Sequence, residues 1–297
     1  MGTQRVWLIT GSSRGLGRAL AEAVLNNGDL LVATARDPQQ LAALTERFGD
    51  RVLSVALDVT DATEVKSAVG LAVKHFGRID ILVNNAGVGF IGAFEEMTDD
   101  QFKGQIDTNF WGVVNVTRSV LPIMRAHGSG RILQVTSIGG RGASPGLSGY
   151  HAAKFAVEGM SEALAQEVAS LGIQVCLIEP GGFRTDWGSA SMAYAEAMEA
   201  YSETVGQRRA FMQGGYKYPG DPQKAALAIL ELVNLPRMPL RQPLGTDATI
   251  LLKYGYEQSL AELSKTTDLA RTTDADDADR ASTYGILERL QSMLKRE

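Results

Sequence analysis

The sequence predicts a doubly wound α/β fold, in which a parallel β-sheet lies between two layers of helices in a three-layer αβα arrangement, with a C-terminal helical extension. Over the first two-thirds of the chain, short runs of β-branched and apolar residues alternate with longer helical patterns. Each run is nearly continuous in apolar character, which is typical of parallel strands covered on both faces. Such alternation requires right-handed crossovers between parallel strands.

The elements can be assigned in order along the chain. Candidate strands are Arg5–Thr10, Leu30–Ala35, Val52–Leu57, Asp80–Asn84, Arg131–Thr136 and Ile173–Glu179. Helical patterns begin near Gly15, Pro38, Asp61, Asp99 and Gly149. The segment from Gly181 to Gly220 shows no strand pattern, and a helix over Asp221–Leu235 and a last strand over Leu240–Leu244 follow it. We therefore predict a single α/β domain over residues 1–246.

Residues 247–297 form the predicted extension. A helix pattern runs from Asp247 to about Leu263, an acidic stretch follows, and an amphipathic stretch covers Ser282–Leu294. The acidic residues are Asp274, Asp276, Asp277 and Asp279, and the apolar sides of the two helical patterns consist of Ile250, Leu251, Leu252, Tyr254 and Leu260, and of Ile286, Leu287, Leu290 and Leu294. Apolar helix faces are usually buried, so we expect both to be covered.

Composition excludes several classes of function. The net charge of −5 and pI of about 5.4 argue against a nucleic-acid-binding protein, which would carry a basic stripe. No run of about 18 apolar residues is present, so we expect no membrane span. The single cysteine, Cys176, cannot form an internal disulfide, and with no signal-peptide pattern it indicates a cytoplasmic protein. The three histidines lack metal-ligand spacing, so no metal is expected.

A glycine-rich turn follows the first strand and opens the first helix. It reads Thr10-Gly11-Ser12-Ser13-Arg14-Gly15-Leu16-Gly17. Glycines allow the backbone to turn tightly and to approach a pyrophosphate, which then lies at the positive end of the helix. The sequence therefore predicts a dinucleotide site, although such a turn can also be purely structural.

The end of the second strand distinguishes NADP from NAD. An acidic residue there pairs with the ribose hydroxyls, whereas an arginine pairs with a 2′-phosphate. Here Arg36 ends the strand and Arg14 lies in the glycine turn, and two guanidiniums suit a phosphate. The alternative is that Arg36 is a solvated charge and Asp37 serves the ribose. We predict NADP(H).

Two further strands end in polar residues at the same edge. Asp58-Val59 ends the third strand, where the carboxylate could bind the adenine amino group, and Asn84-Asn85-Ala86-Gly87 ends the fourth. Ligands bind at the carboxyl ends of strands in open α/β sheets. Either motif could be a simple turn, and their joint placement favours the ligand site.

Tyr150 and Lys154 lie four residues apart, early in a predicted helix, and so share one face. A tyrosine ordinarily has a pKa near 10, and a nearby ammonium lowers the pKa by favouring the phenolate. Ser137 ends the preceding strand, which a glycine-rich loop joins to this helix. A hydroxyl and a phenol at one sheet edge could hold one substrate oxygen. The neighbouring His151 points elsewhere on the helix, and we expect it to be a bystander.

With these motifs the sequence resembles the short-chain dehydrogenase/reductase family, in its compact branch with a Rossmann-like fold. The matching motifs run in family order from residue 5 to about residue 245: the glycine turn, Asn84-Asn85-Ala86-Gly87, Asn109, Ser137, Tyr150-x-x-x-Lys154 and Pro180-Gly181. The resemblance implies catalytic roles for Asn109, Ser137, Tyr150 and Lys154. The resemblance and the motifs described above together predict the cofactor-binding residues. These are Gly11, Ser13, Arg14, Gly15, Leu16, Gly17, Arg36, Asp58, Val59, Asn85, Ala86, Gly87, Tyr150, Lys154, Pro180, Gly181, Phe183 and Thr185.

By the same resemblance, Tyr150 protonates the ketone oxygen while Ser137 orients it. Lys154 contacts the nicotinamide ribose and lowers the pKa of the tyrosine, Asn109 holds a water that links Lys154 to solvent, and Thr185 meets the carboxamide. Compact members commonly form tetramers. We expect a homo-oligomer here, and favour a dimer because a folded tail could block one interface.

The substrate class stays open. The resemblance implies that residues 1–246 form a single dinucleotide-binding and catalytic domain with a substrate lid at about 182–220. Aromatic and methionine side chains are frequent in this lid: Trp187, Met192, Tyr194, Met198, Tyr201, Phe211, Met212, Tyr216 and Tyr218. They either line a pocket for a bulky hydrophobic carbonyl compound or pack the lid onto its own body or a partner. A 3-oxoacyl thioester reductase is one alternative function, but the acidic balance offers no clear basic patch for an acidic carrier. A non-catalytic NADP-sensing regulator is the other, and the complete catalytic set argues against it.

Overall fold

The computed structural model describes residues 4–188, 192–277, 285–286 and 288–289. The strands within these residues are β1 (Val6–Ile9), β2 (Leu30–Ala35), β3 (Val52–Ala56), β4 (Ile81–Asn84), β5 (Gly89–Ile91), β6 (Gly130–Val135), β7 (Ile173–Pro180), β8 (Met192–Tyr194) and β9 (Arg241–Leu244). Seven of them form one sheet in the order β3-β2-β1-β4-β6-β7-β9, with every neighbouring pair parallel. The predicted doubly wound fold is confirmed.

The helices of the described residues are α1 (Gly15–Asn26), α2 (Ala42–Phe48), α3 (Ala62–Phe76), α4 (Asp99–Ile106), α5 (Gly112–His127), α6 (Ser148–Val168), α7 (Gln207–Gln213), α8 (Pro222–Leu232) and α9 (Thr246–Arg271). A single π-helical turn, Asp107–Trp111, joins α4 to α5. The predicted helix starts agree with these bounds to within a residue or two, except that the short 3-10 turn Pro38–Leu41 precedes α2.

Two apolar cores cover the two faces of the sheet. In β1, Trp7 and Ile9 belong to the core that α1, α2 and α8 complete, while Val6 and Leu8 belong to the core built with α3, α5 and α6. Successive strand residues point to opposite faces, so a strand covered on both sides must be apolar throughout. This explains the continuous apolar runs in the sequence.

The expectation that the segment after Pro180 contains no strand was wrong. β8 lies within it and pairs in parallel with β5, from Gly89 opposite Met192 to Ile91 opposite Tyr194. Ala195 N extends the pairing by donating to Ile91 O at 2.8 Å. Strands of three residues are too short to show a periodicity. The small sheet ties the predicted lid to the loop that follows β4.

The chain divides into two compact units, Met1–Leu252 and Lys253–Glu297. α9 continues to Arg271, beyond its expected end near Leu263. Its predicted apolar side is not covered: Ile250, Leu251, Tyr254 and Leu260 are all exposed. A helical period identifies an apolar side but not what covers it. The amphipathic pattern over 282–294 and Asp279 lie outside the described residues, apart from 285–286 and 288–289. In the described part of the chain, no helix has the length and apolarity needed to cross a bilayer.

Thr10 joins two of the loops at the carboxyl edge of the sheet. Its buried Oγ1 accepts hydrogen bonds from Asn85 N at 2.9 Å and Ala86 N at 3.0 Å. In return, Asn85 Nδ2 donates to Thr10 O and Gly11 O, both at 3.0 Å. The loop after β4 is therefore fixed against the glycine turn after β1.

We predict that Thr10→Val lowers the free energy of unfolding by about 1–3 kcal/mol, because it keeps the shape of the side chain but leaves two amide N–H groups without an acceptor. Urea denaturation measures the change. Thr63→Val is the control, since it removes a hydroxyl from an exposed position and should cost less than about 0.5 kcal/mol. Equal losses for the two variants would show that the Thr10 hydroxyl does not hold the loop.

Candidate active site

The loops that follow β1, β4 and β6 all lie at the carboxyl edge of the sheet, because these strands are adjacent and parallel. The strand order changes direction between β1 and β4, and open α/β sheets bind ligands in the crevice at such a point. The glycine turn, the Asn85 loop and Ser137 are therefore brought to one edge, as the sequence predicted.

The glycine turn needs its glycines for local geometric reasons. Gly11 and Gly15 have positive φ angles of 69° and 58°. A Cβ at Gly17 would lie 2.3 Å from Gly11 O and 2.4 Å from Asn85 Nδ2. Any side chain at position 17 would therefore push the turn away from the Asn85 loop.

The N-terminus of α1 lacks a side-chain cap. Arg14 occupies the N-cap position without capping, whereas Asp61, Thr98 and Asp221 cap α3, α4 and α8. The first N–H groups of a helix have no intrahelical acceptor and carry partial positive charge. Ser13 is partly exposed in the turn, and Leu16 packs against the core below it. The edge thus presents free amide donors beside close-packed glycines.

The end of β2 presents cations. Arg14 and Arg36 are both exposed, and neither has an ion-pair partner among the residues that the structure describes. The carboxylate of Asp37 instead accepts from Gln39 N at 3.0 Å and caps the turn at Pro38. The alternative assignment of Asp37 to a ribose would therefore compete with a local capping bond.

At the end of β3, Asp58 Oδ1 accepts from Thr60 N at 2.9 Å and from Thr60 Oγ1 at 2.7 Å. Val59 is buried, and a Cβ at Gly112 would lie 2.5 Å from its Cγ2. The Asp58 carboxylate is thus partly used by its own turn, and Val59 packs against the first residue of α5.

Tyr150 and Lys154 lie one turn apart near the start of α6 and are 6% and 5% exposed. Burial raises the pKa of Tyr150 to about 12, and a hydrogen bond with the Ser137 side chain opposes this rise. Ser137 Oγ also accepts from Gly139 N at 3.0 Å. The hydroxyl and the phenol therefore meet, as predicted from their positions at the strand end and the helix start.

The predicted effect of Lys154 on the tyrosine is not seen. Lys154 Nζ donates to Val135 O at 2.8 Å and lies 5.7 Å from the centre of the Tyr150 ring. Burial lowers the pKa of Lys154 to about 8, and the negative charge of Glu158, one turn further along, acts in the opposite direction. The expectation of a lowered tyrosine pKa was wrong for this structure, because the cost of burying a phenolate outweighs other influences.

Asn109 lies in the π-helical turn between α4 and α5 and is completely buried. Its Nδ2 donates to Val88 O at 2.9 Å, and its Oδ1 accepts from Val88 N at 3.0 Å. The side chain therefore fixes the loop that follows Gly87. Isolated π-helical turns are frequent at functional sites, but no pattern in the sequence predicted this one.

The segment after β7 lies beside the glycine turn. A Cβ at Gly15 would lie 3.5 Å from Thr185 Cβ, and Phe183 packs against the core. Gly182 N donates to Asp247 Oδ2 at 2.7 Å, and a Cβ at Gly181 would lie 2.5 Å from the same carboxylate. Asp247, which the sequence assigned only to the tail, thus holds the Pro180-Gly181 turn in position.

Lid side chains surround the tyrosine. Tyr150 and Leu147 form one buried cluster with Met192, Met212, Ile91, Ala93 and Val205, and Trp187, Tyr194, Tyr201 and Tyr218 pack against it. The rings of Tyr150 and Trp187 are 5.1 Å apart between centres. We call this group the lid cluster. Met198, Phe211 and Tyr216 are exposed. Most of the apolar lid residues therefore pack onto the body of the protein around Tyr150.

A buried ion pair, which the sequence did not reveal, fastens the lid. Arg209 donates to Glu96 Oε2 and to Ala195 O, both at 2.6 Å. Burial acts to raise the pKa of Glu96, but hydrogen bonds from Met198 N, Ala93 N and Arg209 outweigh it and lower the pKa. The partners are more than 100 residues apart in sequence, so no local pattern could have identified them.

His151 supports the loop that carries Ser137. Its Nδ1–H donates to Gly139 O at 2.8 Å, and its Nε2 accepts from Ser144 N at 3.0 Å. Burial lowers its pKa, so the ring is neutral with the proton on Nδ1. Gly139 N in turn donates to Ser137 Oγ. His151 is therefore a structural support for the site, a role that its position beside Tyr150 did not reveal.

A family model and similar curated proteins point to the same protein family. The model of the short chain dehydrogenase family matches residues 5–194. Oxidoreductase BOA17 of Botryotinia fuckeliana is 49% identical over 249 residues, covering 82% of this chain and 90% of that protein. The 3-ketodihydrosphingosine reductase of Bacteroides thetaiotaomicron is 35% identical over 249 residues, covering 83% of this chain and 90% of that protein.

Solved structures that are similar to this chain indicate the same family. A short-chain dehydrogenase from Streptomyces avermitilis is 40% identical with a TM-score of 0.87, covering 92% of this chain and all of that one. An alcohol dehydrogenase from Thermococcus sibiricus complexed with 5-hydroxy-NADP has 26% identity and a TM-score of 0.67 over 82% of this chain and 96% of that one. A 3-ketoacyl-(acyl-carrier-protein) reductase from Brucella melitensis complexed with NADH has 27% identity and a TM-score of 0.69, covering 80% of this chain and 96% of that one.

The neutral state of His151 predicts a pH dependence of stability. Its pKa is lowered on folding, so the unfolded chain takes up a proton first as the pH falls through about 6.5. The contribution of His151 is thus complete above that pH and is lost below it. The difference in unfolding free energy between wild type and His151→Gln should shrink by up to about 1.4 kcal/mol per pH unit below 6.5.

Urea denaturation at pH 7, 6 and 5 measures this difference. His75→Gln, at an exposed position, is the control and should show a difference that does not change with pH. Parallel stability curves for wild type and His151→Gln would contradict a buried neutral imidazole.

Proposed function

The chain belongs to the short-chain dehydrogenase family, and on that premise we propose that it is an NADP(H)-dependent oxidoreductase that interconverts a ketone and a secondary alcohol. The observation that carries the proposal is the meeting of Ser137 with Tyr150 above Lys154, at the sheet edge that also holds the glycine turn. A half-buried hydroxyl beside a buried phenol can hold one carbonyl oxygen. The side chains packed around Tyr150 are apolar, so a substrate whose oxygen reaches the phenol would lie among hydrophobic groups, which favours a bulky hydrophobic substrate.

The residues at the edge fit a dinucleotide. The uncapped N-terminus of α1 and the glycines at 11, 15 and 17 suit a pyrophosphate, which needs amide donors and close backbone approach. Asp58 and Val59 would hold the adenine, and the loop 85–87, Tyr150, Lys154 and the segment 180–185 the nicotinamide half. When bound, the nicotinamide supplies or accepts the hydride at the carbonyl carbon.

Tyr150 handles the proton. In ketone reduction its O–H donates to the carbonyl oxygen, and the raised pKa keeps the phenol protonated at neutral pH. In the reverse direction Tyr150 must accept a proton, which requires the phenolate to be stabilised by the Ser137 hydrogen bond and by the charge of Lys154. Lys154 would leave the Val135 carbonyl to contact the ribose, and Asn109 would hold a water that returns protons from solvent.

Preference for NADP(H) is supported by residues of this chain. Arg14, in the turn after β1, and Arg36, at the end of the neighbouring strand β2, are both exposed, while Asp37 is used as a cap. One structural relative was solved with a derivative of NADP and another with NADH, so structural similarity alone does not distinguish NADP(H) from NAD(H) as the cofactor of this chain. A 3-oxoacyl thioester remains the second substrate candidate, since one structural relative is a 3-ketoacyl-(acyl-carrier-protein) reductase.

We propose a cytoplasmic location and a homo-oligomeric state for the enzyme. Cys176 is buried and burial raises its pKa to about 12, which suits a structural thiol in a reducing cytoplasm. A homo-oligomer, with a dimer favoured over a tetramer, stays a prediction that light scattering can test.

We predict that Tyr150→Phe lowers kcat by about 10²–10⁴-fold, because it removes the proton donor and keeps the ring in the lid cluster. NADPH affinity, measured by fluorescence titration, should stay close to that of wild type. Trp187→Phe, which alters the neighbouring ring and no proton donor of the mechanism, is the matched control. A Tyr150→Phe variant with more than about a tenth of wild-type kcat would show that another group supplies the proton.

Arg36→Ala should reduce the preference for NADPH over NADH by about 10- to 150-fold, the value of one charge-assisted hydrogen bond to a phosphate. Titration of both cofactors against wild type and variant gives this ratio. Arg47→Ala, at another exposed arginine, should leave it unchanged. Equal wild-type affinity for both cofactors would contradict the proposal.

A further inference from the structure

Two consecutive arginines in α7, Arg208 and Arg209, have opposite surroundings. Arg209 is engaged by Glu96 and Ala195 O, as described above. Arg208 makes no ion pair in the described part of the chain, and its Nε is buried without a hydrogen-bond partner. A guanidinium has five N–H donors, and burying one of them unpaired is costly. The fold therefore uses one arginine of the pair and leaves the other with unmet hydrogen-bonding capacity.

The position of Arg208 relates it to the site. Met212 lies one turn later on the same face of α7, and it belongs to the lid cluster with Tyr150. Val205, just before α7, belongs to the same cluster, and its Cγ1 lies 3.1 Å from where a Cβ would stand on Gly146. The face of α7 that carries Arg208 is thus the face that packs toward the start of α6.

The positive charge of Arg208 affects the pKa values of His151 in α6 and of Tyr218 in the lid. It contributes, after burial, to the lowered pKa of His151, which follows Tyr150 in α6. It also opposes the effect of burial on Tyr218, whose pKa is raised and whose hydroxyl donates to Met212 Sδ at 3.1 Å. Arg208 is therefore a lid residue whose charge reaches both the helix that carries Tyr150 and the lid residue Tyr218.

We propose that Arg208 binds a carboxylate of the substrate, so that the substrate is a ketone with an apolar body and an anionic end. The inference rests on the proposed ketone reduction and names the class of ketone. The lid cluster supplies apolar contacts for the body, and Arg208 supplies a cation beside that cluster whose Nε has no hydrogen-bond partner among the described residues. A guanidinium binds a carboxylate through two parallel hydrogen bonds, which is the strongest recognition available to a single side chain there.

The test compares matched acids and esters. The substrates are 4-acetylbenzoate and methyl 4-acetylbenzoate, which carry an anionic carboxylate and a neutral methyl ester, respectively, at the position remote from the ketone. Steady-state kinetics with saturating NADPH give kcat/KM for each, and calorimetric titration of the protein saturated with NADP⁺ gives their affinities without turnover. Wild type should prefer the acid. In Arg208→Met the acid-to-ester ratio should fall by about 10- to 150-fold, through KM and affinity rather than kcat.

Arg209→Met is the matched control. It should lower the melting temperature, because it leaves Glu96 buried and unpaired, but it should keep the preference for the acid. Arg208→Met should melt close to wild type, since its guanidinium makes no ion pair.

The outcomes separate this inference from the proposed function. A wild type that binds acid and ester equally, or an Arg208→Met variant that keeps the wild-type preference, would overturn the role of Arg208 even if ketones are reduced. A preference for the acid that depends on Arg208, in a protein that reduces neither ketone, would support the anion site and contradict the proposed reaction.

Discussion

Burial of the first turns of α6 is the constraint on which the site depends. Tyr150 and Lys154 lose nearly all contact with water, and desolvation moves their pKa values in opposite directions, raising that of Tyr150 to about 12 and lowering that of Lys154 to about 8. Burial thus favours the neutral form of both side chains. The hydrogen bond from Ser137 opposes the effect of burial on the pKa of Tyr150, and the charge of Glu158 opposes it on the pKa of Lys154. The proton of the site is therefore governed by a small number of short-range interactions that solvent does not screen.

The surroundings of that turn are held by side chains bonded to backbone. Thr10 fixes the Asn85 loop, Asn109 fixes Val88, and His151 fixes Gly139, which in turn bonds to Ser137. Such contacts position the reacting groups before any substrate arrives, and preorganisation of this kind is a major source of catalytic power.

A buried charge network lies further along α6. Glu158 accepts from Arg241 Nε at 3.0 Å, and Glu179 accepts from Arg141 at 3.1 Å. Burial and the charge of Glu158 raise the pKa of Glu179, while the two arginines oppose this. Arg241 lies in β9, so the network connects the last strand of the sheet to the helix that carries Tyr150. Removing one member would leave an unpaired buried charge, which is strongly destabilising.

Local patterns in the sequence were sufficient for the sheet and for the placement of the motifs at its edge. Continuous apolar runs identify two-sided strands, and parallel strands necessarily bring Gly11, Asn85 and Ser137 to one edge. Features that depend on distant partners were out of reach: the pairing of β5 with β8, the ion pair of Glu96, and the bond from Lys154 to a strand carbonyl. The direction of the Tyr150 pKa was missed for the same reason, because burial is a property of the packed structure and not of the Tyr-x-x-x-Lys spacing.

Following the hydride is the most direct test of the proposed reaction. NADPH carrying deuterium at the transferring position of C4 is mixed with the protein and a panel of apolar and carboxylated ketones, and the products are analysed by mass spectrometry. We expect alcohols that carry one deuterium on the carbinol carbon, while the hydroxyl proton comes from solvent by way of Tyr150. Tight binding of NADPH without transfer of deuterium to any ketone would contradict it, and would indicate a protein that binds the dinucleotide without using it as a reductant.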